Sequence, residues 1–237
     1  MRFPPGHWTS TTFGDTGKHH FLRELHKRLR PKGYLEIGVQ YGHSLKLAEV
    51  DTLAVVGVDP DPQVGAPLAD MVLRMTSDQY FETYTAMPWV DLAYIDGMHL
   101  VENVLRDFIG VEERANPGAV VVIDDVLPYA VEIAGREPLP GDWTGDVWKI
   151  WPILRKWRPD LHITMVDVAP TGAMVIQGLD PVNGPAWLRT FYDQITEIWA
   201  KEADTGEFVA GVIVPRVSAL DPIEALKEIE VYQLKGN

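Results

Sequence analysis

The feature that most constrains the fold is an alternation of short β-branched runs with longer segments of helical period, which begins at Tyr34. Such alternation is typical of βαβ units in a mostly parallel sheet. The predicted strands are Tyr34–Val39, Ala54–Asp59, Met71–Met75, Leu92–Asp96 and Ala119–Asp124. The predicted intervening helices are Ser44–Val50, Ser77–Thr85 and Leu100–Ala115, and Asn116-Pro117-Gly118 is expected to end the last of them.

The alternation of predicted strands and helices changes after the fifth strand. A stretch rich in Pro and Gly precedes a predicted helix over Asp146–Trp157, so residues 128–157 are interpreted as an insertion over the sheet. The runs His162–Val168 and Ala173–Gly178 are separated by a short turn sequence and are therefore predicted to pair as an antiparallel hairpin. The expected fold is a doubly wound, seven-stranded α/β sheet, mostly parallel and Rossmann-like, that ends in this hairpin.

The length of 237 residues predicts a single domain, 1–237. Its expected parts are an N-terminal helical segment (1–33), a ligand-binding core (34–180) and a C-terminal helical extension (181–237). The extension contains a predicted helix over Ala186–Ala203, an apolar run over Phe208–Pro215 and a last helix from Pro222.

Charge and composition exclude several classes of protein. The formal net charge of -13 argues against a nucleic-acid partner. The basic cluster Lys18–Lys32 is interpreted as the solvated face of an amphipathic helix. No segment has the apolar length of a signal peptide or a membrane span, and the absence of cysteine excludes disulfides and thiolate chemistry, so a cytoplasmic protein without a membrane partner is expected.

A glycine-containing loop follows the first predicted strand. Gly38 and Gly42 allow a sharp turn close to a ligand, and the helix predicted from Ser44 presents free N–H groups. The loop lacks the second close-approach glycine of the dinucleotide fingerprint, because Gln40 stands there. Glu36 precedes the loop and suits a ligand that carries a positive charge better than a pyrophosphate.

Further polar residues follow the next two strands. Asp59 ends the second strand, where a carboxylate can accept hydrogen bonds from both ribose hydroxyls of an adenosine. Ser77 and Asp78 follow the third strand and have two open interpretations, contact with the adenine ring or capping of a helix.

Three aspartates follow the fourth and fifth strands. Asp96, Asp124 and Asp125 are expected to converge in the crevice at the carboxyl ends of the strands. Three carboxylates repel one another unless one is protonated or a cation lies between them. Oxygen ligands favour Mg²⁺, with Mn²⁺ or Ca²⁺ as alternatives, whereas ordinary strand-end acids would bind no metal.

At these residues the chain resembles a known family. The motifs Tyr-Leu-Glu-Ile-Gly-Val, Val-Gly-Val-Asp, Tyr-Ile-Asp-Gly-Met-His and Val-Ile-Asp-Asp, between Tyr34 and Asp125, are similar to those of the metal-dependent class I O-methyltransferases. The layout resembles the catechol-type enzymes and, more closely, bacterial sugar O-methyltransferases of macrolide and methylated-polysaccharide pathways. The resemblance implies the class I methyltransferase fold, S-adenosylmethionine as methyl donor, and a metal at Asp96, Asp124 and Asp125.

The same resemblance gives expectations for the reaction. Catechol-type enzymes place a lysine base three residues after the first metal ligand, and this chain has His99 there. A neutral imidazole can accept a hydroxyl proton, so His99 and Asp96 are the predicted catalytic residues, although His99 could instead contact the donor or cap a helix. Donor contacts are expected from Glu36, Gly38, Gly42, Ser44, Asp59, Ser77, Asp78 and Asp96.

The acceptor is expected to be a sugar or a sugar-containing small molecule. The tryptophans Trp143, Trp148 and Trp151 could stack on such a molecule or lie in the core. A catechol-type acceptor, a nicotinamide-dependent oxidoreductase and a non-catalytic nucleoside-binding protein are the rival hypotheses. The family also suggests a homo-oligomer by analogy alone.

Overall fold

A seven-stranded mixed sheet organises the molecule. The structure is a computed structural model, and it describes residues 16–48, 54–85, 88–201 and 218–234. The strand order is β3-β2-β1-β4-β5-β7-β6. The strands are β1 Gly33–Ile37, β2 Ala54–Val58, β3 Val72–Leu73, β4 Val90–Ile95, β5 Ala115–Asp124, β6 His162–Val166 and β7 Ala173–Gln177.

The sheet is parallel except at one edge. The first five strands pair in parallel, whereas β7 pairs antiparallel with both β5 and β6. The predicted antiparallel hairpin is thereby confirmed. It separates this sheet from the plain dinucleotide-binding fold, which has only parallel strands in the order 3-2-1-4-5-6.

Helices cover both faces of the sheet. They are α1 Lys18–Leu29, α2 Ser77–Thr83, α3 Val101–Glu112, α4 Ile150–Trp157, α5 Asn183–Trp199 and α6 Pro222–Leu234. In β5, Val121 and Ile123 join the core beneath α3 and α4, while Val120 and Val122 join the core beneath α1 and α6. Burial on both faces explains why this strand is a continuous β-branched run.

Two predicted elements are shorter in the structure than the sequence indicated. The predicted helix Ser44–Val50 is a short 3-10 turn over Leu45–Ala48, and residues 49 and 50 lie outside the described part of the chain. The predicted strand Met71–Met75 contains only two residues of strand, because a 3-10 turn over Leu68–Met71 precedes it.

The boundary between α3 and β5 also differs from the prediction. The helix ends at Glu112, before the predicted stop, and β5 already begins at Ala115. Pairing with β4 is irregular between Val90 and Leu92, so Asn116-Pro117-Gly118 is accommodated in the strand rather than in a helix end.

The remaining predictions concern the insertion and the ends of the chain. The predicted helix Asp146–Trp157 is a 3-10 turn over Val147–Lys149 followed by α4, and Ala186–Ala203 corresponds to α5. The run Phe208–Pro215 lies outside the described residues, and the division at residues 33 and 180 stays a prediction. In the part of the chain that the structure describes, no helix combines the length and apolarity needed to cross a bilayer.

His26 makes stability sensitive to acid. The side chain is buried in α1 with its ring edge against Tyr34, and neither ring nitrogen has a partner within the described residues. Burial lowers the pKa of His26 to about 4 from an ordinary value of 6.5. Below about pH 6.5 the unfolded chain binds a proton at this histidine, whereas the folded protein does not until the pH falls toward 4. The contribution of neutral His26 to the free energy of unfolding is therefore complete above about pH 6.5 and is lost as the pH falls toward 4.

We expect His26→Phe to remove this loss, because phenylalanine keeps the edge contact with Tyr34 and has no proton to gain. In urea denaturation, the free energy of unfolding of the variant should exceed that of the wild type by an amount that grows on acidification to about 3 kcal/mol. A difference that stays constant between pH 7 and pH 4.5 would contradict the assignment.

Candidate active site

A cavity of about 810 Å³ opens at the carboxyl ends of the parallel strands. This volume is within the range of cavities that hold small molecules. It lies where doubly wound sheets bind ligands, since the strand order reverses between β1 and β4. The residues predicted for the site that line it are Gly38, Ser44, Asp59, Ser77, Asp78, Asp96, His99 and Asp125.

The loop after β1 lies tightly against the end of β4. Gly38 has φ +86°, and a Cβ there would come within 2.0 Å of the carbonyl oxygen of Asp96. Glycine is therefore required at this position both by conformation and by space. Gly42 also has a positive φ of 68°, and its N–H donates to the carbonyl of Val39, which closes the turn.

Asp59 organises the same loop. One carboxylate oxygen accepts hydrogen bonds from the backbone N–H groups of Val39 (2.9 Å) and Gln40 (2.8 Å), and the other accepts one from Asp61 (2.8 Å). An ionised carboxylate has about four acceptor positions, so Asp59 retains capacity for a ligand hydroxyl at the cavity surface.

Glu36 lies below the cavity rather than on its surface. The side chain is 0% exposed, and it accepts hydrogen bonds from the hydroxyls of Tyr34 (2.7 Å) and Ser44 (2.7 Å). Burial raises the pKa of Glu36 to about 8, against the lowering effect of these two hydroxyls. Ser44 lines the cavity and thus stands between Glu36 and any ligand.

The residues after β3 have different roles at the start of α2. The N-cap of α2 is Thr76, in a capping box with Gln79, and so the capping interpretation of Ser77 and Asp78 is wrong. Asp78 accepts two hydrogen bonds from Arg106, at 2.9 and 3.1 Å. Ser77 and Asp78 remain part of the cavity lining, where the paired Asp78 has little free charge to offer.

Asp96, His99 and Asp125 form a cluster, which we call the acid–histidine cluster. Nε2 of His99 lies 3.4 Å from Asp96 Oδ1 and 3.2 Å from Asp125 Oδ2. One ligand atom from each residue lies within 4.8 Å of the other two. Two carboxylates and an imidazole are a donor set that fits a divalent cation.

The repulsion between the buried carboxylates around the acid–histidine cluster favours a cation. Burial raises the pKa of Asp125, and the neighbouring carboxylates of Asp124 and Asp96 raise it further. Burial acts to lower the pKa of His99, but Asp96 and Asp125 outweigh it and raise that pKa. The cluster therefore holds a proton that a bound metal ion would replace.

Asp124 is not a member of the acid–histidine cluster, although Lys18 and Tyr94 each contact both Asp124 and Asp96. One of its oxygens accepts hydrogen bonds from the ammonium of Lys18 and the hydroxyl of Tyr94 (2.6 Å). Asp125 has a left-handed backbone with φ +62°, which turns the chain between the two consecutive aspartates. The structure thus brings two of the three predicted aspartates together with His99 and gives the third a different partner.

Lys18 reaches the site from the start of α1. Its ammonium also lies 3.0 Å from Asp96 Oδ2. Backbone hydrogen bonds from Lys18 N–H to the carbonyl of Ala169, and from Ala169 N–H to the carbonyl of Thr16, dock the helix start on the turn between β6 and β7. The interpretation of the basic cluster as a wholly solvated face is therefore wrong at Lys18.

The insertion fixes the orientation of His99. The Nδ1–H of His99 donates to the carbonyl of Trp143 at 2.7 Å, which directs Nε2 toward the carboxylates. The Trp143 ring lies beside the imidazole, with centroids 5.3 Å apart. Of the three tryptophans named from sequence, Trp143 lines the cavity, Trp148 is in the core, and Trp151 is partly buried against the core.

Comparisons with known proteins agree with this geometry. Residues 35–126 match a family model described as a methyltransferase domain. This part of the chain is therefore similar in sequence to that family. The match covers β1 to β5 and includes the glycine loop, Asp59 and the acid–histidine cluster. The prediction of a methyltransferase is confirmed at this level. None of the curated proteins matches the chain.

Solved structures show the same fold. Cofactor-bound Rv0187 from MTB has a TM-score of 0.52 and 20% identity, over 74% of this chain and 84% of that one. A candidate O-methyltransferase from Klebsiella pneumoniae has a TM-score of 0.52 and 17% identity, over 74% and 83%. The SAH-bound Podospora anserina methyltransferase PaMTH1 has a TM-score of 0.51 and 14% identity, over 69% and 78%. The predicted class I methyltransferase fold is confirmed.

Sequence reasoning missed two residues of the site. Lys18 was grouped with the other basic residues of its helix, and only its place at the first turn, after Gly17, distinguishes it. Asp107 lines the cavity from α3. The apolar residues around it in the sequence indicate a helix face in the core and give no direct sign of a site residue. An acid on the buried side of a helix is the available signal, because such a group is seldom buried without a partner.

Proposed function

We propose that this protein is an S-adenosylmethionine-dependent O-methyltransferase that methylates a hydroxyl of a sugar or sugar-containing small molecule, with Mg²⁺ or another divalent cation at the acid–histidine cluster. The observation that carries the proposal is the placement of Asp96, His99 and Asp125 in the same cavity as the glycine loop and Asp59. A methyl donor and a hydroxyl acceptor would thus meet beside a cation site.

The donor side of the cavity suits S-adenosylmethionine. Asp59 would accept hydrogen bonds from the ribose hydroxyls, and the Gly38–Gly42 turn would lie against the methionine portion. Glu36 would act on the amino group through Ser44, whose hydroxyl already contacts it. This arrangement favours S-adenosylmethionine over a dinucleotide, because the loop offers acidic acceptor groups and lacks the glycine pattern for a pyrophosphate.

The acceptor side combines an aromatic ring with polar groups. Trp143 lies next to His99, and Asp142, Thr171 and Lys18 line the same region. Sugars present an apolar face that stacks on aromatic rings and hydroxyls that need polar partners. This combination favours a sugar over a flat catechol. The only partner proposed is this acceptor, and a homo-oligomer stays a prediction.

The chain's own residues would align and deprotonate the acceptor. A bound divalent cation would acidify and orient the hydroxyl. With the cation held by the carboxylates of Asp96 and Asp125, Nε2 of His99 would be free to accept the hydroxyl proton, and the hydrogen bond to Trp143 would hold the ring in place. The oxygen then forms a bond to the methyl carbon as the carbon–sulfur bond breaks and the sulfonium becomes a thioether. Alignment of these atoms can contribute about 7–11 kcal/mol.

The acceptor class is tested by turnover with S-adenosylmethionine and Mg²⁺ on a panel of mannosides, macrolide sugars and catechols, with methylated product detected by mass spectrometry. We expect turnover on members of the sugar group. Turnover on catechols alone would overturn the sugar assignment while leaving the methyltransferase assignment intact. Binding of NAD without binding of S-adenosylmethionine in calorimetry would overturn both.

Removal of divalent cations is expected to lower the rate by about 100-fold, because a cation at the acid–histidine cluster supplies several kcal/mol to charge stabilisation. Initial rates are compared after exhaustive treatment with EDTA and after addition of Mg²⁺ or Mn²⁺ in excess, which should restore activity. A rate unchanged by chelation would contradict the metal assignment. Donor binding measured in parallel separates a catalytic effect from loss of the donor.

A further inference from the structure

Asp107 is a buried acid without an assigned role in the reaction. It lies in the second turn of α3, is 2% exposed, and lines the cavity. Its Oδ1 atom is buried, and no described residue forms a hydrogen bond with it. Ser77 forms a hydrogen bond with the carboxyl group but leaves Oδ1 without a partner, and burying such an atom is costly.

Neighbouring charges do not compensate Asp107. Arg106 is adjacent in sequence, but its guanidinium donates to Asp78 and to the hydroxyl of Tyr192. Burial raises the pKa of Asp107 to about 7, with a smaller opposing effect of Ser77. A carboxyl group near this pKa can present an acceptor oxygen and, when protonated, an O–H donor side by side.

The carboxyl group lies close to the backbone of Gly97, just after β4. A Cβ added at Gly97 would lie 3.8 Å from Asp107 Oδ2, an ordinary van der Waals distance. Ser77, from the start of α2, and Asn103, from α3, line the same side of the cavity. Ser77 also forms a hydrogen bond with Asp107, so this side of the cavity adjoins the start of α2, which follows β3, the neighbour of β2 in the sheet.

The place of the donor determines what would meet Asp107. With the ribose at Asp59 after β2 and the sulfonium toward the acid–histidine cluster after β4 and β5, the base extends in the opposite direction, toward the end of β3 and the start of α2. The edge of adenine presents an N6 amine donor beside the N1 acceptor. A carboxyl group matches both, because one oxygen can accept from N6–H while an O–H can donate to N1.

We propose that Asp107 recognises the adenine edge of the donor and selects for its 6-amino group. The inference rests on the proposed function, since it takes S-adenosylmethionine as the donor. It assigns selectivity for the nucleobase to a residue of α3. Asp78, which is nearer to the end of β3, is instead paired with Arg106.

The test is a comparison of two ligands by calorimetry. S-adenosylhomocysteine is compared with its purine riboside analogue, which lacks only the 6-amino group. We expect the wild type to bind the analogue about 10-fold to 100-fold more weakly, because the analogue leaves a buried acceptor unpaired. Asp107→Leu should bind both ligands with equal affinity, and Asp107→Asn, whose amide oxygen can still accept from the amine, should keep most of the preference.

Asp78→Asn is the matched control, and it should keep the preference for the amine. Equal binding of the two ligands by the wild type, or an undiminished preference in Asp107→Leu, would overturn the inference while leaving the proposed function intact. Loss of the preference in Asp78→Asn with retention in Asp107→Leu would assign the amine to Asp78 instead. Failure of the wild type to bind S-adenosylhomocysteine at all would overturn the proposed function and, with it, this inference.

Thermal melts confirm that each variant is folded, and Asp107→Asn provides the comparison if the leucine variant is not.

Discussion

Asp125→Ala is expected to lower the rate of methyl transfer by about 1,000-fold, a barrier increase of about 4 kcal/mol. The carboxylate is one of two in the acid–histidine cluster, and its removal takes a charged donor from the proposed cation and a partner from His99. Steady-state rates at saturating donor measure the effect. The affinity for Mn²⁺, followed by electron paramagnetic resonance, should fall in parallel.

Two controls give this prediction its specificity. Asp193→Ala removes an exposed acid on α5 and should leave the rate unchanged. Asp124→Asn removes the charge that Lys18 neutralises, so it should weaken Mn²⁺ binding less than Asp125→Asn does. A rate for Asp125→Ala within tenfold of the wild type, in a variant with a normal melting curve, would show that the cluster has no part in the reaction.

Arg158→Met is expected to lower the free energy of unfolding by about 3–5 kcal/mol. The guanidinium of Arg158 donates to Glu112 at 2.6 Å, and Glu112 is 0% exposed at the end of α3. Without Arg158, a carboxyl group would remain buried with the backbone N–H of Asp180 as its remaining hydrogen-bond donor among the described residues. Urea denaturation at neutral pH measures the loss.

The matched control is Arg155→Met, three residues earlier on the same helix. Arg155 is exposed and lies over the ring of Trp151, so its replacement should cost no more than about 1 kcal/mol. The double variant Arg158→Met with Glu112→Gln should recover part of the loss, because no charge then remains buried. Equal effects of the two arginine replacements would mean that the buried pair does not stabilise the fold.

The succession of strands and helices along the chain and the position of the cavity could be predicted from the sequence. The run Val120–Ile123 is buried on both sides of the sheet, so its apolar character directly indicates a central strand. Gly38 and Asp59 were predictable as loop residues because each is needed for a local geometry that few other residues can adopt.

The direction of each acidic side chain could not be predicted in this way. Asp124 and Asp125 are adjacent in sequence, and the left-handed backbone at Asp125 separates their partners. Lys18 meets Asp96 across 78 positions of sequence, a contact that no local periodicity contains. Sequence patterns therefore indicate which strand end a residue occupies, while long-range contacts decide what it touches.

The docking of Thr16 and Lys18 on Ala169 connects the first helix to the last turn of the sheet. This contact joins segments about 150 residues apart, and closing so long a loop is entropically costly before other contacts form. The ammonium of Lys18 is thus held among the aspartates by a helix whose start is bound to the turn of the edge hairpin. A change in the turn between β6 and β7 would alter the charge balance of the acidic groups through the first helix, even with every acid unchanged.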